Sequence, residues 1–211
     1  MDYYNKIDTL FKRDSNFKII PGEFTRPEFA LLDRWSVTEK IDGTSTWIRF
    51  GYEDGDVVWS FGGRTANANL PSPVENSLID TVHAIHPAAN DLMDRFGLDS
   101  LTVYGESYGP KINGGGNYSN DVEFRAFDVR ANDLWLSPAD FYACVAELQI
   151  DTAPNLGMYD LDAIIAACRD GFGSTFAIRP VQAEGIIAKS PVELTNNAGK
   201  RLMFKLKTRD F

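Results

Sequence analysis

Runs rich in β-branched and aromatic residues over 36–39, 44–50 and 57–61 read as strands, and the last two flank the turn Glu53-Asp54-Gly55-Asp56. Asp-Gly between two such runs signals a hairpin. Strand patterns return at 101–106 and 122–129, and two short ones close the chain at 185–189 and 202–207. Helical spacing appears over 76–96, where Leu78, Ile79, Val82, Ile85, Leu92, Met93 and Phe96 are apolar and Pro87 is expected to split or kink the helix. A second helix starts at Ser137-Pro138-Ala139-Asp140 and runs to about residue 149; a third spans 161–169 and stops at Gly171. Ile7, Leu10 and Phe11 predict a short helix over 2–12, before Pro21-Gly22 and Arg26-Pro27 break the chain. Without regular βαβ alternation, this order predicts an α+β fold built on antiparallel sheet.

The 211 residues carry a net charge of −9, with 44% hydrophobic and 24% charged residues. That composition suits a globular chain, and no apolar run is long enough to cross a bilayer. The N-terminus lacks the pattern of a secretory signal. Cys144 and Cys168, the only cysteines, fall in helical patterns, which predicts small core residues in a reducing cytoplasm. A charge of −9 excludes non-specific coating of nucleic acid, but residues 200–209 concentrate five cations, enough for a local basic site.

One lysine stands out. Glu39-Lys40-Ile41-Asp42-Gly43-Thr44-Ser45 places Lys40 between a strand and a glycine turn, with carboxylates on both sides. An amine attacks phosphorus only when deprotonated, so a nucleophilic Lys40 requires neighbouring cations, desolvation or a metal to disfavour its charge. Later segments supply such parts. Alternation over 202–207 puts Lys205 and Lys207 on one face and Phe204 and Leu206 on the other, an arrangement suited to a polyphosphate or to a solvated edge strand. Glu106, in Tyr104-Gly105-Glu106, and Glu184, in Glu184-Gly185-Ile186-Ile187-Ala188-Lys189, sit at strand ends, where carboxylates hold magnesium or manganese or merely face water. Phe127, in Phe127-Asp128, suits either a base-stacking ring or the core.

These motifs, in this order over roughly residues 36–209, resemble those of the covalent nucleotidyltransferases: ATP-dependent DNA ligases, RNA ligases and mRNA capping enzymes. The nearest resemblance is to RNA ligases of the second phage type, which seal nicks in duplex RNA. Gly43-Thr44-Ser45 is similar to their Gly-Thr-Asn, and Gly62-Gly63-Arg64-Thr65 resembles their arginine motif. Asp42 departs from the pattern, where histidine is common, and so does Ser45.

The resemblance implies an α+β nucleotidyltransferase fold (the ATP-grasp-like ligase adenylation architecture), with antiparallel sheets flanked by helices. It implies an ATP-dependent RNA ligase in which Lys40 becomes adenylated, Glu39 contacts the adenine and Phe127 stacks on it. Glu106 would serve the ribose or the metal, and Glu184 the metal. Arg64, Lys205 and Lys207 would contact phosphates, with Lys189 a helper near the nucleotide. ATP with Mg2+ or Mn2+ is the implied cofactor set. The implied partner is nucleic acid with 5′-phosphate and 3′-hydroxyl ends, nicked RNA foremost, bound by a monomer in the cytoplasm, as for a phage-encoded enzyme in its host. The chain stops just after Lys207, where ligases add an OB-fold or helical domain, so a single adenylation domain over 1–211 is expected, with a separate nucleic-acid-binding partner an open option. A minimal DNA nick ligase and an inactive binding module of the same fold are the alternatives. His83 and His86 at i, i+3 lack further ligands for a metal, and the Gly114-Gly115-Gly116 loop lacks the Lys-Ser/Thr ending of a P-loop and reads as a mobile tip.

Overall fold

The computed structural model describes residues 4–211, which divide into two compact units. One holds Tyr4 and residues 42–153; the other holds residues 5–41 and 154–211. The chain thus passes from one unit to the other directly after Ile41, within the lysine heptapeptide.

The second unit is built on three strands with one apolar face. Strands β1 (Asp8–Thr9), β2 (Phe11–Arg13), β3 (Ile19–Phe24) and β4 (Trp35–Glu39) precede the crossing. After the return come β10 (Asn155–Tyr159), the helix α3 (Leu161–Asp170), β11 (Gly185–Lys189) and β12 (Met203–Lys207). The main sheet has the order β1-β12-β11-β4-β10; all its pairs are antiparallel except β1 with β12. Alternation buries Trp35, Val37, Ile186, Ala188, Phe204 and Leu206 in one core, where Ile164 and Cys168 of α3 join them. Phe204 meets Trp35 with ring centroids 4.7 Å apart and Phe29 at 5.2 Å.

The other unit centres on the long strand β5 (Thr44–Glu53). It pairs with β6 (Asp56–Gly63) on one side and β7 (Ser100–Tyr108) on the other, and β8 (Glu123–Ala131) and β9 (Leu134–Trp135) complete the order β6-β5-β7-β8-β9. The β5–β6 hairpin turns through Asp54 (φ 52°) and Gly55 (φ 94°), the left-handed pair that an Asp-Gly turn supplies. Helices α1 (Ser72–Phe96) and α2 (Pro138–Leu148) pack on one sheet face and enclose Ile48, Phe50, Val103, Ala126 and Val129. Ser137 caps α2 by accepting from the Asp140 N–H, and left-handed Gly97 ends α1.

Two expectations need correction. The 2–12 segment is not a helix: residues 2 and 3 lie outside the described residues, but 8–9 and 11–13 are strands. Leu10 donates its N–H to the Lys205 carbonyl, and Phe11 stacks on Phe24 at 5.7 Å, so sheet pairing outweighs the helical spacing. Pro87 does not split α1, which runs through it. Pro87 and His83, whose carbonyl it leaves without its helical donor, are both exposed residues. No described helix is long and apolar enough to cross a membrane.

Truncating Phe204 to alanine removes the ring that packs against both Trp35 and Phe29. The second unit should lose about 3–5 kcal/mol in denaturant unfolding; a loss below about 1 kcal/mol would mean the ring is not a keystone of this core.

Candidate active site

In the second unit, strand register assembles the charged cluster. β11 lies between β4 and β12, with Ile186 opposite Glu39 and Gly185 opposite Lys207. Lys40, one residue beyond β4, donates its N–H to the Gly185 carbonyl at 2.9 Å. Lys40, Glu184 and Lys207 therefore stand at one end of three adjacent strands. Glu184 receives the Lys40 ammonium on Oε2 at 2.6 Å and the Lys207 ammonium on Oε1. The three side chains are 20%, 11% and 18% exposed, so water screens the network only partly. Burial pushes the Glu184 carboxyl up, but the charge of Lys40 and the hydrogen bonds from both lysines outweigh it, and the net shift is downward.

Gly185 is required here. Its φ of 153° is positive, and an added Cβ would lie 2.1 Å from the Leu206 carbonyl oxygen. The preceding Glu184 is tied down in turn, its carbonyl accepting from the Thr208 N–H at 3.0 Å.

Because Phe204 and Leu206 point into the core, Lys205 and Lys207 share the opposite sheet face. Lys189 and Lys40 fall on that face by the same alternation along β11 and β4. One sheet face thus carries four lysines beside one carboxylate, an arrangement that attracts polyanions such as phosphates. Glu39 points the other way. It is 1% exposed, and its Oε2 accepts from the Thr175 N–H at 2.9 Å and the Thr175 hydroxyl at 2.8 Å. Its Oε1 is buried with no hydrogen-bond donor among the described residues, an acceptor whose desolvation they leave uncompensated.

In the first unit, Asp42 and Gly43 turn the chain into β5. A Cβ on Gly43 would lie 2.4 Å from the Ser107 carbonyl oxygen and 2.8 Å from Glu106 Cγ, so only glycine lets the turn pass β7 this closely. Asp42 accepts from the Gly114 N–H at 3.1 Å, and the Asn113 side-chain amide donates to the Gly43 carbonyl at 2.6 Å. The glycine loop expected to be a mobile tip is therefore fastened to the lysine motif's own turn. This bond also gives Asp42, the departure from the histidine pattern, a structural task.

Glu106 is half-buried on β7, opposite Ser45 and Arg125. Phe127 sits in a β-bulge: Tyr104 pairs with Asp128 and Gly105 with Ala126, which leaves Phe127 as the extra residue. The bulge lets Ala126 and Val129 both enter the core, and it presents Phe127 and Asp128 with Tyr104 to Tyr4. Tyr4 meets the Phe127 ring edge-on at 4.9 Å and donates its hydroxyl hydrogen to buried Asp128 at 2.7 Å. Arg64 is exposed just after β6 and makes no ion pair among the described residues.

Sequence reasoning missed Thr175 as the partner of Glu39, and Tyr4 and Asp128 beside Phe127. The Phe127-Asp128 dipeptide carried the only signal for the last of these. Among the described residues, no cluster of three histidine, cysteine or acidic side chains forms a metal site; His83 packs edge-on against Trp59 instead. Burial pushes the thiols of Cys144 and Cys168 up, to about 11 and about 12, which suits inert core positions.

Against known proteins, a family model described as RNA ligase matches residues 33–207. No curated protein matches. Among solved structures, a Naegleria gruberi RNA ligase mutant with ATP and Mn superposes with a TM-score of 0.67 at 16% identity, covering 98% of this chain and 56% of that one. The same organism's RNA ligase with PPi gives 0.63 at 18%, over 99% of this chain and 63% of that one. A further mutant with AMP and Mn gives 0.62 at 19%, over 96% and 61%. The chain thus spans less than two thirds of these proteins, and at such identities the likeness shows the fold: the α+β nucleotidyltransferase architecture of antiparallel sheets and flanking helices.

The lowered Glu184 carboxyl makes an acid-limb prediction for the protein without ligands. Its contribution to stability is fully present above the unfolded value of 4.5 and is lost as pH falls through the lower folded value. Urea unfolding from pH 6 downward should therefore show Glu184→Gln losing less stability than wild type below about pH 4.5; parallel curves would refute the shift.

Proposed function

The chain belongs to the RNA ligase family, and from that premise we propose that it is an ATP-dependent polynucleotide ligase acting on RNA, with Lys40 as its nucleophile. The observation that carries this reading is the Lys40–Glu184–Lys207 cluster, because it gathers the amine and a second cation around one carboxylate.

The reaction balances as three displacements. Lys40 Nζ loses a proton and attacks the α-phosphorus of ATP; a P–N bond forms and the bond to pyrophosphate breaks. A 5′-phosphate oxygen then attacks the same phosphorus and frees Lys40. A 3′-hydroxyl next attacks the 5′-phosphorus, forms the phosphodiester and expels AMP.

The chain's own groups suit these steps. An amine held as an ammonium has no lone pair for phosphorus, so Lys40 must give up its proton and its hold on Glu184 before it attacks. Lys207 and Lys205, side by side on a rigid strand, are placed to bind triphosphate oxygens and support the departing pyrophosphate, with Lys189 on the same face. Arg64, free of intramolecular ion pairs among the described residues, would add a bidentate phosphate contact. Glu39 offers its donorless oxygen to an amine such as that of adenine, and Phe127 would stack on the base.

A divalent metal fits the donor set, since magnesium and manganese bind through one or two carboxylates plus phosphate oxygens. Glu184 would hold it. Its chemistry when bound would be to neutralise phosphate charge while competing with Lys40 for the same carboxylate.

Incubation with α-labelled ATP and magnesium should leave a covalent label on wild type and none on Lys40→Ala; an unlabelled wild type would refute the assignment. Sealing of nicked RNA in preference to nicked DNA is the expected specificity, and the reverse preference would favour a DNA nick ligase.

A further inference from the structure

Glu39 and Thr175 meet in the second unit, and both backbones are fixed there. Glu39 ends β4 opposite Ile186, and its N–H donates to the Pro154 carbonyl at 2.9 Å. Thr175 follows a short antiparallel clasp: the Ser174 N–H donates to the Val181 carbonyl, and the Ala183 N–H to the Phe172 carbonyl, both at 2.9 Å. The Ser174 hydroxyl then accepts from the Ala177 N–H at 3.3 Å, which closes a turn around Thr175. Thr175 is exposed while Glu39 is 1% exposed, so the carboxyl group ends directly beneath the surface at this turn.

The hydrogen bonding of that carboxyl group is lopsided. A carboxylate has two acceptor sites on each oxygen. Oε2 fills both, with the N–H and the hydroxyl of Thr175. Oε1 fills neither among the described residues, and Thr175 supplies every donor that Glu39 has there. Glu39 shares the sheet face of Trp35 and Val37, so the orphaned oxygen stands at the rim of an apolar core. Holding the 172–182 loop would require only the first oxygen. A second one, buried and unmatched, is destabilising until a ligand brings it a donor.

Nucleobases differ in what they offer a single acceptor. Adenine presents one exocyclic amine beside ring nitrogens that only accept. Guanine presents a ring N–H next to its amine, an adjacent donor pair that fits the two oxygens of one carboxylate, and a carbonyl that is repelled by it. With Oε2 saturated, the amine of adenine satisfies Oε1 and nothing is left over. Guanine would leave one of its donors buried without an acceptor.

We propose that Thr175 is a positioning residue that sets nucleotide specificity: by saturating Oε2 it leaves Glu39 a single acceptor, which selects adenine nucleotides against guanine nucleotides. The contact of Glu39 with the base rests on the ligase reading; the lopsided bonding of its carboxyl group does not.

The test measures nucleotide discrimination on the full chain. Labelling of Lys40 by α-labelled ATP and by α-labelled GTP, with magnesium, is compared in wild type, Thr175→Val and Thr175→Ser. Valine keeps the N–H and the side-chain shape but removes the hydroxyl, so Oε2 regains one site. Wild type should prefer ATP. That preference should fall about tenfold in Thr175→Val, the size of one hydrogen bond, and return in Thr175→Ser. A loop anchor would lower both rates in proportion, so an unchanged preference in Thr175→Val would overturn the proposal and leave the ligase reading standing. Wild type alone decides the matter even if a variant fails to fold. The triphosphate of purine riboside, which lacks the amine, should label about tenfold less efficiently than ATP, and equal labelling would overturn the proposal. Equilibrium binding of AMP and GMP needs no covalent step and is scored separately. A preference for AMP that Thr175→Val erases, in a protein that takes no label, would end the ligase reading and leave the Thr175 assignment standing. Neither label nor preference would overturn both.

Discussion

The Glu184 carboxylate is the hinge of the account, since its two oxygens hold the ammonium groups of Lys40 and Lys207 at one end of three paired strands. Two cations at such spacing repel unless a counter-charge stands between them. The same counter-charge occupies the Lys40 amine at rest. Stability and reactivity therefore draw on one group in opposite senses. The fold bears the cost because the lysine face is backed by a continuous aromatic and aliphatic core of Trp35, Ile186 and Phe204.

The two units contribute different physics. The second unit supplies charge on rigid strands. In the first unit, turn geometry and close approach predominate: a glycine without room for a methyl group at position 43, a loop fastened through Asp42, and a bulge that aims Phe127. Each device fixes a side chain by backbone means. Such placement costs no rotamer entropy at the moment of binding.

Much of this was legible in the sequence, for a reason that also marks its limit. Period-two alternation reports which face a strand residue occupies, so the opposition of Lys205 and Lys207 to Phe204 and Leu206 follows from 202–207 alone. Strand 185–189 was likewise readable, with its bounds. Alternation carries no information about pairing partners or inserted residues. Hence the bulge at Phe127, the bond from Thr175 to Glu39, and the strand at 11–13 that resembled a helix could not be read, because each depends on a distant segment. The Glu184 bridge lies between these cases: its members were identifiable as chemistry, while their convergence required the β4–β11–β12 register.

The bridge itself is open to direct measurement by a double-mutant cycle on denaturant stability with Lys40→Met, Glu184→Gln and the pair. A shielded, hydrogen-bonded ion pair predicts a coupling energy of about 1–3 kcal/mol, with the double variant less destabilised than the sum of the singles. Effects that add to within about 0.5 kcal/mol would mean that Lys40 and Glu184 do not feel each other in solution, and would contradict the account at its base.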